Sequence, residues 1–146
     1  MFNHILIPTD GSPISNKAAK AGVALASRLK ARVTVYFAIE ELQMIYAEGY
    51  AMDQITIDRI EEYGRERGQK HIDAVSKVAK RARVPFQMAI TKALTPSIGI
   101  IAAAKKYKCD AIFMASHGRG GLSRLIMGSV TNKVLSHSKL PVVVYR

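Results

Sequence analysis

Two short segments concentrate the residue types that could do chemistry. Pro8-Thr9-Asp10-Gly11-Ser12 supplies a carboxylate, two hydroxyls and, with Pro13 behind it, the start of a helix. Ala115 to Val130 (ASHGRGGLSRLIMGSV) supplies Gly118, Gly120 and Gly121, two cations in Arg119 and Arg124, and the pair Gly128-Ser129. Glycine admits backbone conformations closed to other residues and lets main-chain N–H groups come close to a ligand. N–H groups at a helix start form an anion site. A polyphosphate fits these groups best, although the glycine spacing by itself fits a tight turn equally well.

Other chemistry finds less support. Ser116 and His117 are neighbours, so on an extended chain their side chains are expected to point apart. With no positioned base and orienting acid, serine hydrolysis is not expected. His4, His71 and His137 show no mutual metal-ligand spacing and are assigned surface or core-edge roles. Cys109 is the only cysteine, which excludes an internal disulfide and a cysteine zinc cluster. It is expected to be a small, half-buried side chain beside a strand. The chain lacks Gly-x4-Gly-Lys-Ser/Thr and any SGGxDS-type loop, which argues against a P-loop ATPase and an adenylating enzyme.

The elements that would hold the two segments follow from periodicity and punctuation. His4 to Ile7, with Phe2, reads as a buried strand ended by Pro8. Ser12 is a helix cap with Pro13 at the first helical position. Ile14, Ala18, Ala21, Gly22, Leu25 and Leu29 then mark one apolar helical face. Arg32 to Ile39 (RVTVYFAI) is a second strand. Residues 41–52 read as a loop or short irregular helix, with Met44, Tyr46, Tyr50 and Met52 packing over the sheet edge. A long helix runs from about Asp53 to Arg83, weakened in its middle by Gly64 and Gly68. Phe86 to Thr91 is a third strand, polar enough to lie near an edge. Thr95-Pro96 opens a helix to about Lys106. Asp110 to Ala115 is a fourth, wholly apolar-cored strand, as in a sheet covered on both faces. A glycine-rich loop (116–123), a helix to about His137 and a fifth strand, Pro141 to Tyr145, complete the chain.

Strands alternating with helices imply parallel strands and right-handed crossovers. The expected fold is therefore one α/β domain over residues 1–146: a doubly wound, five-stranded parallel sheet of Rossmann-like type. Ligands of such sheets sit beyond the C-terminal strand ends, where the strand order reverses. Both chemical segments follow strands, so the topology would bring them together.

The bulk numbers fit this picture. The 146 residues, 49% apolar and 23% charged, suit one core. The start lacks the basic region and cleavage site of a signal peptide, and no apolar run approaches a membrane span, so a cytoplasmic protein is expected. The net charge is +11, unevenly spread. Seven of the 11 acids fall between Glu40 and Glu62, opposed there only by Arg59. The remainder is strongly basic and attracts polyanions in general. The run Lys77–Arg83 reads as a solvated helix face, and without a stacking platform or recognition-helix signature nucleic-acid binding is not expected.

ILIPTDGS near the start, with SHGRGG…GSVTNKVL…PVVV toward the end, resembles the universal stress protein family over essentially the whole chain. Its nucleotide-binding members carry Gly-x2-Gly-x9-Gly-Ser/Thr. Here that pattern falls on Ala115, Gly118, Gly128 and Ser129, with alanine in place of the first glycine. The resemblance implies binding of ATP or another adenine nucleotide. Pro8, Thr9 and Asp10 would line the adenosine part, and Ala38 would offer its backbone edge to the adenine. Gly118, Arg119, Gly128 and Ser129 would hold the phosphates, while Met114 and Val130 would add apolar contact. Mg²⁺ would bridge phosphate oxygens. The resemblance also implies a homodimer formed through the last strand, residues 141–146, and a regulatory role in the stress response rather than an enzymatic one. Two alternatives remain: a nucleotide-free dimeric interaction protein, favoured by Ala115, and weak ATP hydrolysis or self-phosphorylation involving Asp10, Ser12, Ser116 or Ser129.

Overall fold

The computed structural model describes residues 1–41, 53–118 and 127–146, and among these strands and helices alternate. Strand β1 (His4–Pro8) leads to helix α1 (Pro13–Leu29), followed by β2 (Arg32–Glu40), α2 (Gln54–Arg81) and β3 (Phe86–Ala93). Helix α3 (Pro96–Lys106), β4 (Ala111–Ala115), α4 (Ser129–His137) and β5 (Val142–Tyr145) complete the order. Met44, Tyr46, Tyr50 and Met52, like Arg119 and Arg124, lie outside the described residues.

Capping chemistry sets the helix starts. Ser12 Oγ accepts the Ser15 N–H at 3.2 Å, and Pro13 stands at the first helical position, where its missing N–H costs nothing. Asp53 accepts the Thr56 N–H at 2.9 Å, and Thr95 accepts the Ile98 N–H at 3.4 Å just before Pro96. Lys30 ends α1 in the left-handed region at φ 54°.

All four strand pairings are parallel, in the order β3-β2-β1-β4-β5. The chain winds outward from β1 to β3, then returns to the other side of β1 for β4 and β5. The order therefore reverses between β1 and β4, the place where doubly wound sheets bind ligands. Polar β3 is an edge strand, as its sequence predicts, and β5 is the other edge.

Alternate residues feed two apolar layers. Ile5, Ile7, Val33, Val35, Phe37 and Phe113 pack toward α1 and α2. Leu6, Tyr36, Ala89, Ile112 and Met114 pack toward α3 and α4. Gly64 and Gly68 do not interrupt α2, which runs unbroken for 28 residues. Both are buried against β2, where an added Cβ would stand 3.1 Å from Ile39 Cγ2 and 2.6 Å from Phe37 Cδ1 respectively. The expectation of a weakened middle is corrected: close helix–sheet approach outweighs the intrinsic cost of glycine.

The N-terminal ends of the strands are tied by polar groups. Asp110, just before β4, accepts the N–H groups of Asn3 at 2.8 Å and His4 at 3.0 Å. Burial opposes the Asp110 charge, but these N–H donors outweigh it and hold the carboxyl below its usual range. His4 is buried and shares a 2.7 Å hydrogen bond with Thr34 Oγ1, which also accepts from Gln87 Nε2 at 2.8 Å. Burial, reinforced by the Arg32 charge, lowers the His4 pKa. Cys109 is buried in the same region, and burial raises its thiol pKa. Among the described residues, no helix is long and apolar enough to cross a membrane.

Candidate functional site

The register of the sheet opens a notch at its C-terminal edge. Even-numbered residues of β2 direct their peptide groups toward β1: Arg32 N–H donates to Asn3 O, and Tyr36 O accepts from Thr9 N–H at 2.9 Å. Odd-numbered residues face β3, as Val33 and Glu41 show by donating to Pro85 and Ala93. Pairing with β1 ends at Pro8↔Tyr36, while pairing with β3 continues to Glu40↔Ala93. Ala38 therefore turns its N–H and C=O toward space that β1 has vacated. A donor and an acceptor side by side on an unpaired strand are what the edge of a purine or a peptide can bond.

Beyond this notch a cleft of about 680 Å³ crosses the ends of β2, β1 and β4. Pro8, Thr9 and Asp10 line it from β1, Ala38 from β2, and Met114, Ala115 and Gly118 from β4 and its loop. Gly128, Ser129 and Val130 line it from the start of α4. The structure thus brings together every residue that the family resemblance assigns to the nucleotide except Arg119, which lies outside the described residues; Ser12 and Ser116 do not line the cleft.

The β1 loop is fixed by its own polar groups. Asp10 Oδ1 accepts the Ser12 N–H at 2.9 Å. Thr9 Oγ1 accepts from both the Gly11 N–H and Ser15 Oγ at 3.2 Å. Gly11 holds φ at 78°, a conformation that favours glycine. The Asp10 carboxylate lies against Gly118, where an added Cβ would stand only 2.5 Å from Oδ2. Gly118 is thus needed for close approach between the two chemical segments.

At the other end, α4 is anchored over β4. Thr131 Oγ1 donates to Ala115 O at 2.9 Å, and Gly128 N–H donates to Ser116 O at 2.8 Å. The second bond engages the Gly128 N–H within the fold. The donors that remain at the helix start are Ser129, Val130 and Thr131, whose N–H groups meet no acceptor among the described residues. They sit where the helix dipole favours an anion. Gly128 is required for space: a Cβ there would stand 3.0 Å from His117 Cα.

Ala115 does not block the cleft. It is 8% exposed, belongs to the apolar layer toward α1 and α2, and does not share the positive φ of Lys30, Arg83 or Lys108. The side chains of Ser116 and His117 do not point apart as expected. Ser116 Oγ and His117 Nδ1 are 3.0 Å apart, because the chain bends after β4 instead of continuing as a strand.

Comparison with known proteins identifies the family and the fold. The family model for the universal stress proteins matches residues 1–146. The chain belongs to the universal stress protein family. It is 30% identical to universal stress protein MJ0531 of Methanocaldococcus jannaschii, over the whole of this chain and 83% of that protein. It is 28% identical to universal stress protein YxiE of Bacillus subtilis, over the full length of both. The solved structure of the hypothetical protein MJ0577 superposes with a TM-score of 0.83 at 25% identity, covering 99% of this chain and 95% of that one. Two more distant structures share the fold and were solved with nucleotides. One is a universal stress protein in complex with cAMP (TM-score 0.73, 18% identity, covering 99% of this chain and 97% of that one). The other is the Arabidopsis thaliana family protein At3g01520 with AMP bound (TM-score 0.66, 12% identity, covering 97% and 90%).

Several residues around this universal stress protein cleft escape sequence reasoning. Tyr36, Phe37, Glu40, Arg67, Ile100 and His117 also line it. Arg67 carries a sequence signal: it falls on the helical stripe that includes buried Gly64, Gly68, Ile72 and Val75, where a charge is unusual. Tyr36 and Phe37 carry none, because their β-strand pattern is already explained by core packing.

Proposed function

We propose that this protein binds an adenine nucleotide, ATP with Mg²⁺ foremost, and acts as a cytoplasmic, homodimeric regulatory module in the stress response. One observation supports the reading: the peptide edge of Ala38 and the N–H groups of Ser129, Val130 and Thr131, which meet no partner among the described residues, face one cleft from opposite ends. The strands involved, β2 and β4, are two spacings apart, or about 10 Å. That span suits a base at one end and phosphates at the other. The cAMP and AMP bound by two family members of the same fold support this choice of ligand.

Each group then has a task. Ala38 pairs with the edge of the base, while Met114, Val130 and Ile100 give it apolar contact. The α4 start and the Gly118 backbone receive phosphate oxygens, and Arg119 adds charge. Mg²⁺ would supply charge neutralisation to the phosphates, and Asp10, which lines the adenosine part, is the carboxylate that could also reach it. No turnover belongs to this reading. Ser116 meets His117, but its side chain is 95% removed from solvent and is poorly placed to attack a ligand in the cleft. The homodimer would form through β5, an edge strand whose residues Val142–Tyr145 are each half-buried in the single chain.

Thermal unfolding with and without MgATP tests the proposal. A ligand at 100 times its Kd adds about 2.7 kcal/mol to stability, so the melting temperature should rise by several degrees. No shift with ATP, ADP or AMP, and no nucleotide released from freshly purified protein, would overturn it. Light scattering checks the dimer separately.

A further inference from the structure

We infer that Arg67 of α2 is a binding residue for the nucleoside end of the ligand, a role outside the two loop segments that carry the family pattern. The inference rests on the nucleotide reading above. Gly64 and Gly68 press α2 onto β2, and between them Arg67 is held at the rim of the cleft. Its guanidinium carbon lies 5.7 Å from the centre of the Phe37 ring, so the aromatic face fixes the group in place. Its Nε is buried and has no hydrogen-bond partner among the described residues. A buried N–H left unmatched is costly, and such groups normally have a partner. The ligand is that partner.

Position decides which part of the ligand it meets. Phe37 and Ala38 are adjacent on β2, whereas the amides suited to phosphate start α4, beyond β4. Arg67 is therefore at the base and ribose end, about two strand spacings from the phosphate site. At that end its donors meet a ring nitrogen or a ribose oxygen rather than a phosphate, and its flat guanidinium can stack on the base plane.

The test compares adenosine, AMP and ATP by calorimetry against the unmodified protein, Arg67→Met and Arg67→Lys. Methionine retains the packing on Phe37 and removes every donor, while lysine retains the charge and removes the planar fork. The inference expects Arg67→Met to weaken all three ligands by a similar factor, about tenfold, the size of one hydrogen bond from a charged donor. Arg67→Lys should restore little of it. Ligand-free melting temperatures within a few degrees of the unmodified protein show that the variants are folded. A loss that grows with phosphate number and spares adenosine would overturn the inference, since Arg67 would then act only as a distant charge. Unchanged binding by Arg67→Met, or full recovery in Arg67→Lys, would also overturn it while leaving the nucleotide reading intact. Failure of the unmodified protein to bind any of the three would overturn both.

Discussion

Replacing Gly118 by alanine should disturb Asp10 before it disturbs anything else. The new methyl group would stand 2.5 Å from Asp10 Oδ2 and 3.5 Å from Cγ. An ordinary C···O contact is about 3.3 Å, so roughly 0.8 Å of overlap must be relieved. Asp10 has a short side chain whose other oxygen accepts the Ser12 N–H at 2.9 Å. Turning the carboxylate away breaks that bond at the very start of α1. A hydrogen bond to a charged acceptor contributes about 1.5–3 kcal/mol when buried, and the partial exposure of Asp10 brings the expected loss nearer 1 kcal/mol. Urea unfolding of four proteins would measure it: unmodified, Gly118→Ala, Asp10→Ala and the double variant. The clash requires the carboxylate, so the alanine at 118 should cost much less when Asp10 is already truncated. The coupling should be about 1 kcal/mol. Additive losses would refute the reasoning, because strain at 118 would then come from the backbone itself.

Four further outcomes follow from the packing, the helix cap and the buried His4. Gly68→Ala should destabilise by about 1–3 kcal/mol in urea, since its Cβ would stand 2.6 Å from the Phe37 ring. Gly64→Ala should be close to neutral in the same assay, because the milder 3.1 Å contact with Ile39 is offset by about 1 kcal/mol of helix propensity. Ser12→Ala removes the α1 cap and should cost about 1 kcal/mol, with a lower melting temperature and no change in fold. The His4 pKa is lowered by burial, so the unfolded chain binds the proton more readily; stability should therefore fall as pH drops below about 6.5. Unfolding free energies measured from pH 7.5 to 5 should show that slope, and a His4→Gln variant should largely lose it.

Local signals made the architecture legible. Ser12-Pro13 and Thr95-Pro96 announce helix starts through chemistry that acts within four residues, and both caps are present. The polar character of Phe86–Thr91 correctly places β3 at an edge. The loops that line the cleft were legible because both follow strands of a parallel sheet. What the sequence hides depends on register. Whether Ala38 faces β1 or β3 is decided by pairing with residues far along the chain, and the notch exists only because β1 stops four residues before β2 does. That Ser116 accepts the Gly128 N–H appears only once the chain folds back. Arg67 stands out in the sequence only as a charge on the buried stripe of its helix, and its place over Phe37 appears once Gly64 and Gly68 bring the helix down on β2.

The Asp110 carboxylate, gripping the first residues of the chain at the far end of the sheet from the cleft, has a wider consequence. It fastens β1 to β4 from below, at the end of the sheet opposite to the loops that line the cleft. Substitutions near Asn3, His4, Thr34 and Asp110 should alter how long the molecule survives heat or acid. Substitutions among the upper loops should alter what it holds and how tightly. The lower end of the sheet can thus drift in durability without undoing recognition, whereas Ser12 and Gly118 at the upper end serve both.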